Sequence, residues 1–191
     1  MPGRNYTILR EHAAEQFGYV TTRDAEELGI EPDRLPKMKD RGALVHVSRG
    51  VFRFRDVPAG PLDAYAAAAL WPLEVRGVLS HTTALDLHDL CDINPSRIDI
   101  TVPRGFRTTR TPPDVLRLHR EELPERDITW HEGLPIVSVH RAILGAIGQH
   151  VGWNLIDQAV DTARRTGRLR RQQADELRAL RHDVSAATVG S

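Results

Sequence analysis

Apolar positions recur at helical spacing from the start of the chain. Tyr6, Leu9, Ala13 and Phe17 fall on one face and Gly18 follows as a stop, so residues 5–17 are predicted to form a helix with one buried side. Thr21-Thr22-Arg23-Asp24 then places a hydroxyl three residues before a carboxylate, the pairing that satisfies free amides at a helix start. The short helix it opens turns Ala25 and Leu28 inward and ends at Gly29. A third helix is predicted from Asp33, a good capping residue type, to Gly42. Leu35 and Met38 face its core side, and Pro36 sits in the first turn, where its missing N–H leaves no helical bond unmade. From Ala43 to Phe54 the period drops to two on either side of Ser48-Arg49-Gly50, which predicts a β-hairpin whose glycine supplies a positive φ. Three short helices followed directly by a hairpin make a winged helix-turn-helix, expected over residues 1–57.

Pro58-Ala59-Gly60-Pro61 reads as a short stiff linker, and the pattern beyond it changes character. Pro61 to Trp71 is predicted to be a helix, and Ser80 is expected to cap another that holds Ala84, Leu85 and Leu87. Arg97 to Val102 alternates strictly and predicts a strand. Val115–His119 and Ile128–Val137 offer more strands, the second broken at His131-Glu132-Gly133. Ser138 starts a helix to about Gly148, and two further helices carry Leu155, Ile156, Ala159, Val160 and Ala163, then Leu169, Leu177 and Leu180. The expected fold class is α+β, a winged helix followed over residues 61–185 by a mixed domain with a small sheet and several helices.

Composition adds little until it is resolved along the chain. With 26 Lys plus Arg against 26 Asp plus Glu the formal charge of the 191 residues is zero, which on its face argues against a nucleic-acid partner. Residues 34–55, however, carry Arg34, Lys37, Lys39, Arg41, Arg49, Arg53 and Arg55 against Asp40 alone, a local charge of plus six, after a stretch at 4–33 that is minus four. The basic block falls on the third helix and the hairpin, the two elements whose shapes suit the grooves of duplex DNA. Arg34, Lys37, Lys39 and Arg41 on the helix, with Arg49 and Arg53 on the wing, are therefore the expected DNA contacts. Arg49 at the hairpin tip is placed to reach an adjacent minor groove. Further basic stretches lie at Arg104, Arg107 and Arg110 and from Arg164 to Arg171, either a solvated surface or a docking face for an acidic partner or nucleic acid.

Other chemistry is thin. The richest cluster, His81, Asp86, His88, Asp89, Cys91 and Asp92, would put His88, Cys91 and Asp92 on one helical face as metal ligands are arranged, but the spacing matches no established metal pattern. Neither a phosphate-binding glycine loop nor a G-x-S-x-G elbow is present, and the only lysines are Lys37 and Lys39, which leaves no lysine for a nuclease site elsewhere. No catalysis, cofactor or metal is expected. The single Cys91 excludes an internal disulfide framework. The longest apolar run, Ala64 to Trp71, is far too short to span a bilayer, and no apolar leader precedes the first helix, so a cytoplasmic location is expected.

Several runs resemble a known family. Gly18-Tyr19-Val20-Thr21-Thr22, Glu27-Leu28-Gly29-Ile30, Leu35-Pro36-Lys37-Met38, Arg41-Gly42-Ala43-Leu44 and Val47-Ser48-Arg49-Gly50-Val51-Phe52 look like the N-terminal domain of the AbiEi-type antitoxins of abortive-infection toxin–antitoxin pairs. Ser80 to His88 and Leu134 to Leu144 look like two marked stretches of that family's C-terminal domain. Many relatives place an Asp after the last leucine, where this chain has Gly145. The resemblance implies an antitoxin that represses transcription from its own promoter, bound as two copies on inverted repeats. Its C-terminal domain would oppose a nucleotidyltransferase-like toxin. The alternatives are a winged-helix regulator that senses a metal or small molecule around His88 and Cys91, and a nuclease fused to a DNA-binding domain.

Overall fold

The computed structural model describes residues 3–188, with side chains through residue 180. Its first unit runs α1 (Arg4–Ala14), β1 (Tyr19–Thr21), α2 (Thr22–Glu27), α3 (Arg34–Asp40), β2 (Leu44–Ser48) and β3 (Val51–Phe54), and the three strands form one sheet in the order β1-β3-β2. This is the winged helix the pattern predicts, with β1 added. Three residues are too few to show a period, so β1 is invisible in the sequence. The Thr21–Asp24 capping box is fully formed at the start of α2. Asp33 stands at the N-cap position of α3 but makes no capping bond, because its carboxylate instead accepts from Lys37 Nζ at 2.5 Å.

The second unit is built on a five-stranded sheet in the order β6-β5-β4-β8-β7, made of β4 (Val78–Leu79), β5 (Ile98–Val102), β6 (Leu116–Arg120), β7 (Ile128–His131) and β8 (Leu134–Val137). β5 and β6 run parallel, as do β4 and β8, and the other two pairings are antiparallel. The helices around it are α4 (Asp63–Leu70), α5 (His81–Leu87), α6 (Val139–Gly148), α7 (Trp153–Arg165) and α8 (Arg171–Thr188). On α7, Ile156, Ala159, Val160 and Ala163 are buried at the predicted spacing. Among the described residues, no helix is long and apolar enough to cross a membrane.

Two hydrophobic clusters fill these units, and β3 belongs to both. Phe52 and Phe54 join Leu9, Val20, Leu35 and Leu44 in the first cluster, whereas Val51, with Tyr19 of β1, packs into the large second cluster around Trp71, Leu79 and Ile136. Strand alternation makes this possible, since successive side chains point to opposite faces. Arg53, two residues beyond Val51, shares its face. Its guanidinium meets Asp63 of α4 at 2.9 Å, with only 13% and 18% of the two side chains exposed, and also donates to the Pro58 carbonyl. The Tyr19 hydroxyl donates to the Asp63 carbonyl, and Arg23 of α2 donates to the Glu74 carbonyl. The two units are thus fastened together across one face of the small sheet.

A buried polar network occupies the second unit. Asp99 on β5 is wholly buried and accepts from Thr82, from His119 Nε2 at 2.8 Å and from Gln149 at 2.9 Å. Burial alone would raise its pKa, but the hydrogen bonds from His119, Thr82 and Gln149 outweigh it and hold the carboxyl below its usual value. The His81 ring stacks on His119 with centroids 3.6 Å apart, and its Nδ1 pairs with Ser80 Oγ. Ser80 therefore occupies the N-cap position of α5 without capping it, its hydroxyl being taken by His81 and Thr101. At Gly145 of α6, packed against this pair, a Cβ would stand 2.9 Å from the His81 ring.

Burial first, then the neighbouring His119, pushes the His81 pKa down from 6.5 to about 4. Between those values the unfolded chain binds a proton that the folded protein refuses, so stability falls as pH drops through that window. The full effect is roughly 3 kcal/mol. His88, also lowered by burial, acts in the same direction, and Asp99 contributes only below its ordinary 3.8. Urea midpoints measured from pH 7 to 4.5 are expected to decline more shallowly in His81→Gln than in the parent chain. Parallel declines would contradict this assignment.

Candidate nucleic-acid interface

Helix α3 exposes its basic side chains because its apolar ones are used. Leu35 is fully buried and Met38 half-buried, which turns Arg34, Lys37, Lys39 and Arg41 outward, all of them exposed. Arg34, Lys37 and Arg41 line one groove of about 470 Å³ together with Met38, Tyr6 and Arg4 of α1. Arg4 is a cation the sequence pattern did not single out, because only the fold brings the start of α1 beside α3. Lys39 lies outside that groove and pairs with its neighbour Asp40 at 2.9 Å.

Arg34 is 3.6 Å from Glu31, and Lys37 draws the Asp33 carboxyl below its usual pKa, chiefly through their hydrogen bond. Solvent-exposed pairs of this kind are weak and screened, so phosphate oxygens can replace the carboxylates. Arg41 forms no ion pair among the described residues.

The hairpin departs from the expected picture of a free wing. Its turn is held on both sides: the Thr22 amide donates to the Gly50 carbonyl, and a Cβ on Gly50, whose φ is +75°, would lie 2.7 Å from Leu73 Cδ1. Arg49 is exposed at this docked tip and faces a second cleft, across which stand Arg107, Arg110 and Arg120. Arg53 is not at the tip at all. It sits in the seam on the face opposite Phe52 and Phe54, fastened to Asp63, with its guanidinium 5.6 Å from the Tyr19 ring centre and its Nε buried without a partner. Alternation placed it on the wrong side for a groove contact, and burial of that side was not visible from the hairpin alone.

The cluster around His88 comes apart. α5 ends at Leu87 and Asp89 takes a positive φ of 52°, so His88, Cys91 and Asp92 share no helical face. His88 Nε2 is bonded to the Val137 carbonyl at 2.8 Å, and Asp92 to Gln158. Burial, then the charges of Asp92 and Asp86, raises the Cys91 thiol to about 11, far from a metal-binding thiolate. Among the described residues, no group of three or more His, Cys, Asp or Glu is arranged to hold a metal. Of the later basic stretch, Arg168 is spent on the His88 carbonyl at 2.7 Å, while Arg164 and Arg165 are exposed.

Comparison with known proteins bears on both units. The crystal structure of the RV2827C protein from Mycobacterium tuberculosis is similar over 93% of this chain and 72% of its own, with a TM-score of 0.52 and 17% sequence identity, a likeness of fold. A search of curated proteins finds no match. Residues 8–55, which hold α3 and the hairpin, match the family described as transcriptional regulator, AbiEi antitoxin.

Proposed function

We propose that this chain is an antitoxin that also represses its own promoter. The N-terminal winged helix, residues 1–57, binds duplex DNA as two copies on inverted repeats, and residues 61–185 oppose a nucleotidyltransferase-like toxin. No catalysis, metal or cofactor enters this reading. The observation that carries it is the exposed cationic face of α3, with Arg34, Lys37 and Arg41 around one groove, inside the segment that matches a family of transcriptional regulators. An α-helix fits the major groove, and arginine and lysine on its outer face supply both base-edge and phosphate contacts. Lys39 flanks this face, and Arg49 at the hairpin tip is a backbone contact rather than an inserted finger, because the tip is docked.

Binding to the DNA upstream of its own gene is measured against salt. Alanine at Arg34, Lys37 and Arg41 together is expected to weaken binding and to lower the slope of log affinity against log salt by about 2.7, at about 0.9 per lost phosphate contact. Unchanged affinity and slope would overturn the assignment of α3.

Arg53→Met separates the seam from the wing. It leaves Asp63 buried without its cation and is expected to cost on the order of 3 kcal/mol of stability in urea unfolding, with the salt slope of DNA binding preserved. A reduced slope at unchanged stability would return Arg53 to the DNA interface.

A further inference from the structure

The two edges of the large sheet are not alike. β6 carries Arg117 and Arg120, charges that discourage pairing with another chain, whereas β7 opens with Ile128, Thr129 and Trp130, all strand formers, and holds no lysine, arginine or proline. Trp130 is 63% exposed, the most of any large hydrophobic side chain among the described residues.

The register leaves the backbone of Trp130 open as well. β7 turns into β8 through Glu132 and Gly133, at φ 46° and 85°, and at the far end of the pair the Ser138 amide donates to the Asp127 carbonyl. Bonded pairs alternate along an antiparallel ladder, so residues 127, 129 and 131 bond across to β8 and Trp130 does not. Pro135, directly opposite Trp130, has no N–H to offer, in agreement with that register. The N–H and C=O of Trp130 therefore both point out from the free edge of the sheet.

Charge decides what can lie on this edge. Residues 121–132 hold Glu121, Glu122, Glu125, Asp127 and Glu132 against Arg126, a local charge of minus four. Glu121 pairs with Arg141 and Glu122 accepts from the Arg104 amide. Glu125, Asp127 and Glu132 form no ion pair among the described residues. A phosphate backbone is repelled here. So is a second copy of this chain, since two-fold pairing of β7 with itself brings like charges together. A basic segment of another protein is attracted.

We infer that β7 is the edge on which the C-terminal unit receives its toxin. An extended toxin segment, with lysines or arginines flanking an apolar residue, adds to the sheet as a sixth strand. Its backbone bonds to Trp130, its apolar side chain covers the indole, and its cations lie beside Glu125, Asp127 and Glu132. The inference rests on the reading of residues 61–185 as the part that opposes a toxin. Strand addition draws affinity from main-chain bonds and selectivity from alternate side chains. A tryptophan taken out of water within such a contact is a residue type that dominates interface energies.

The test uses the full chain and the nucleotidyltransferase-like protein encoded beside its gene, with binding titrated in solution and growth rescue scored on co-expression. Trp130→Ala changes an exposed side chain, and an unchanged thermal transition verifies the fold. It is expected to weaken toxin binding about thirtyfold, while Trp130→Phe retains most of the affinity and operator binding is unaffected by either. Glu125→Lys with Glu132→Lys is expected to weaken toxin binding and flatten its salt dependence. In the complex the Trp130 amide is expected to exchange at least about tenfold more slowly than in the free chain. If the parent chain binds the toxin and Trp130→Ala binds it equally, the inference is overturned and the antitoxin reading stands. Growth rescue by the parent chain without measurable binding has the same meaning. If the parent chain neither binds nor rescues, the antitoxin reading itself fails. Weakened binding by Trp130→Ala with an unchanged Trp130 amide in the parent complex would overturn strand addition in favour of a contact through the indole alone.

Discussion

β3 is buried on both faces, and the placing of every candidate functional group follows from that. A four-residue strand with Val51 and Arg53 on one side and Phe52 and Phe54 on the other has no solvent face to give away. One side closes the small core beneath α3, and the other is pressed into the large core of the second unit. An arginine in such a position must be paired, since an isolated charge out of water is costly, and Asp63 supplies the partner. Tyr19 completes the seam, and burial followed by the Asp63 carboxylate pushes its phenol above its usual pKa. The ion pair is specific rather than strongly stabilising: it matches one edge of the wing to one helix of the second unit.

With β3 fixed, the hairpin tip has nowhere to swing. Gly50 lies against Leu73 and Thr22, and Arg49 is delivered to the rim of an arginine-lined cleft instead of projecting alone. The cationic side of α3 is free because the hydrophobic side of the same helix is consumed in the small core. One docking event therefore presents two basic surfaces, one on α3 and one at the junction with the second unit. The zero net charge of the whole chain is compatible with both, since binding depends on where charge is held rather than on its sum.

Much of this was legible in the residues. The Thr21–Asp24 box, the alternation through Ala43–Phe54 and the apolar spacing on α7 each announce an element that the structure contains. The exposure of Arg34, Lys37, Lys39 and Arg41 follows from Leu35 being buried. What was not legible depends on contacts far apart in sequence. Two residues at Val78–Leu79 form the strand that joins the two halves of the large sheet, and no period can reveal an element that short. Ser80 and Asp33 have the residue types of caps, but His81, Thr101 and Lys37 compete for their oxygens and win. Arg53 looked like a wing residue because a hairpin read in isolation has one wet face. Only the packing of α4 shows that β3 has none. The apparent metal face at His88, Cys91 and Asp92 failed for the opposite reason, a helix that ends at Leu87, well short of Cys91 and Asp92.

Hydrogen exchange of the intact chain, free and bound to its promoter DNA, tests the whole account at once. Docking of β3 predicts that the amides of Val51–Phe54 are already protected in the free protein and change little on binding, while α3 slows markedly on DNA. Rapid exchange of β3 in the free protein, protected only when DNA is added, would contradict the account, as would an α3 indifferent to DNA.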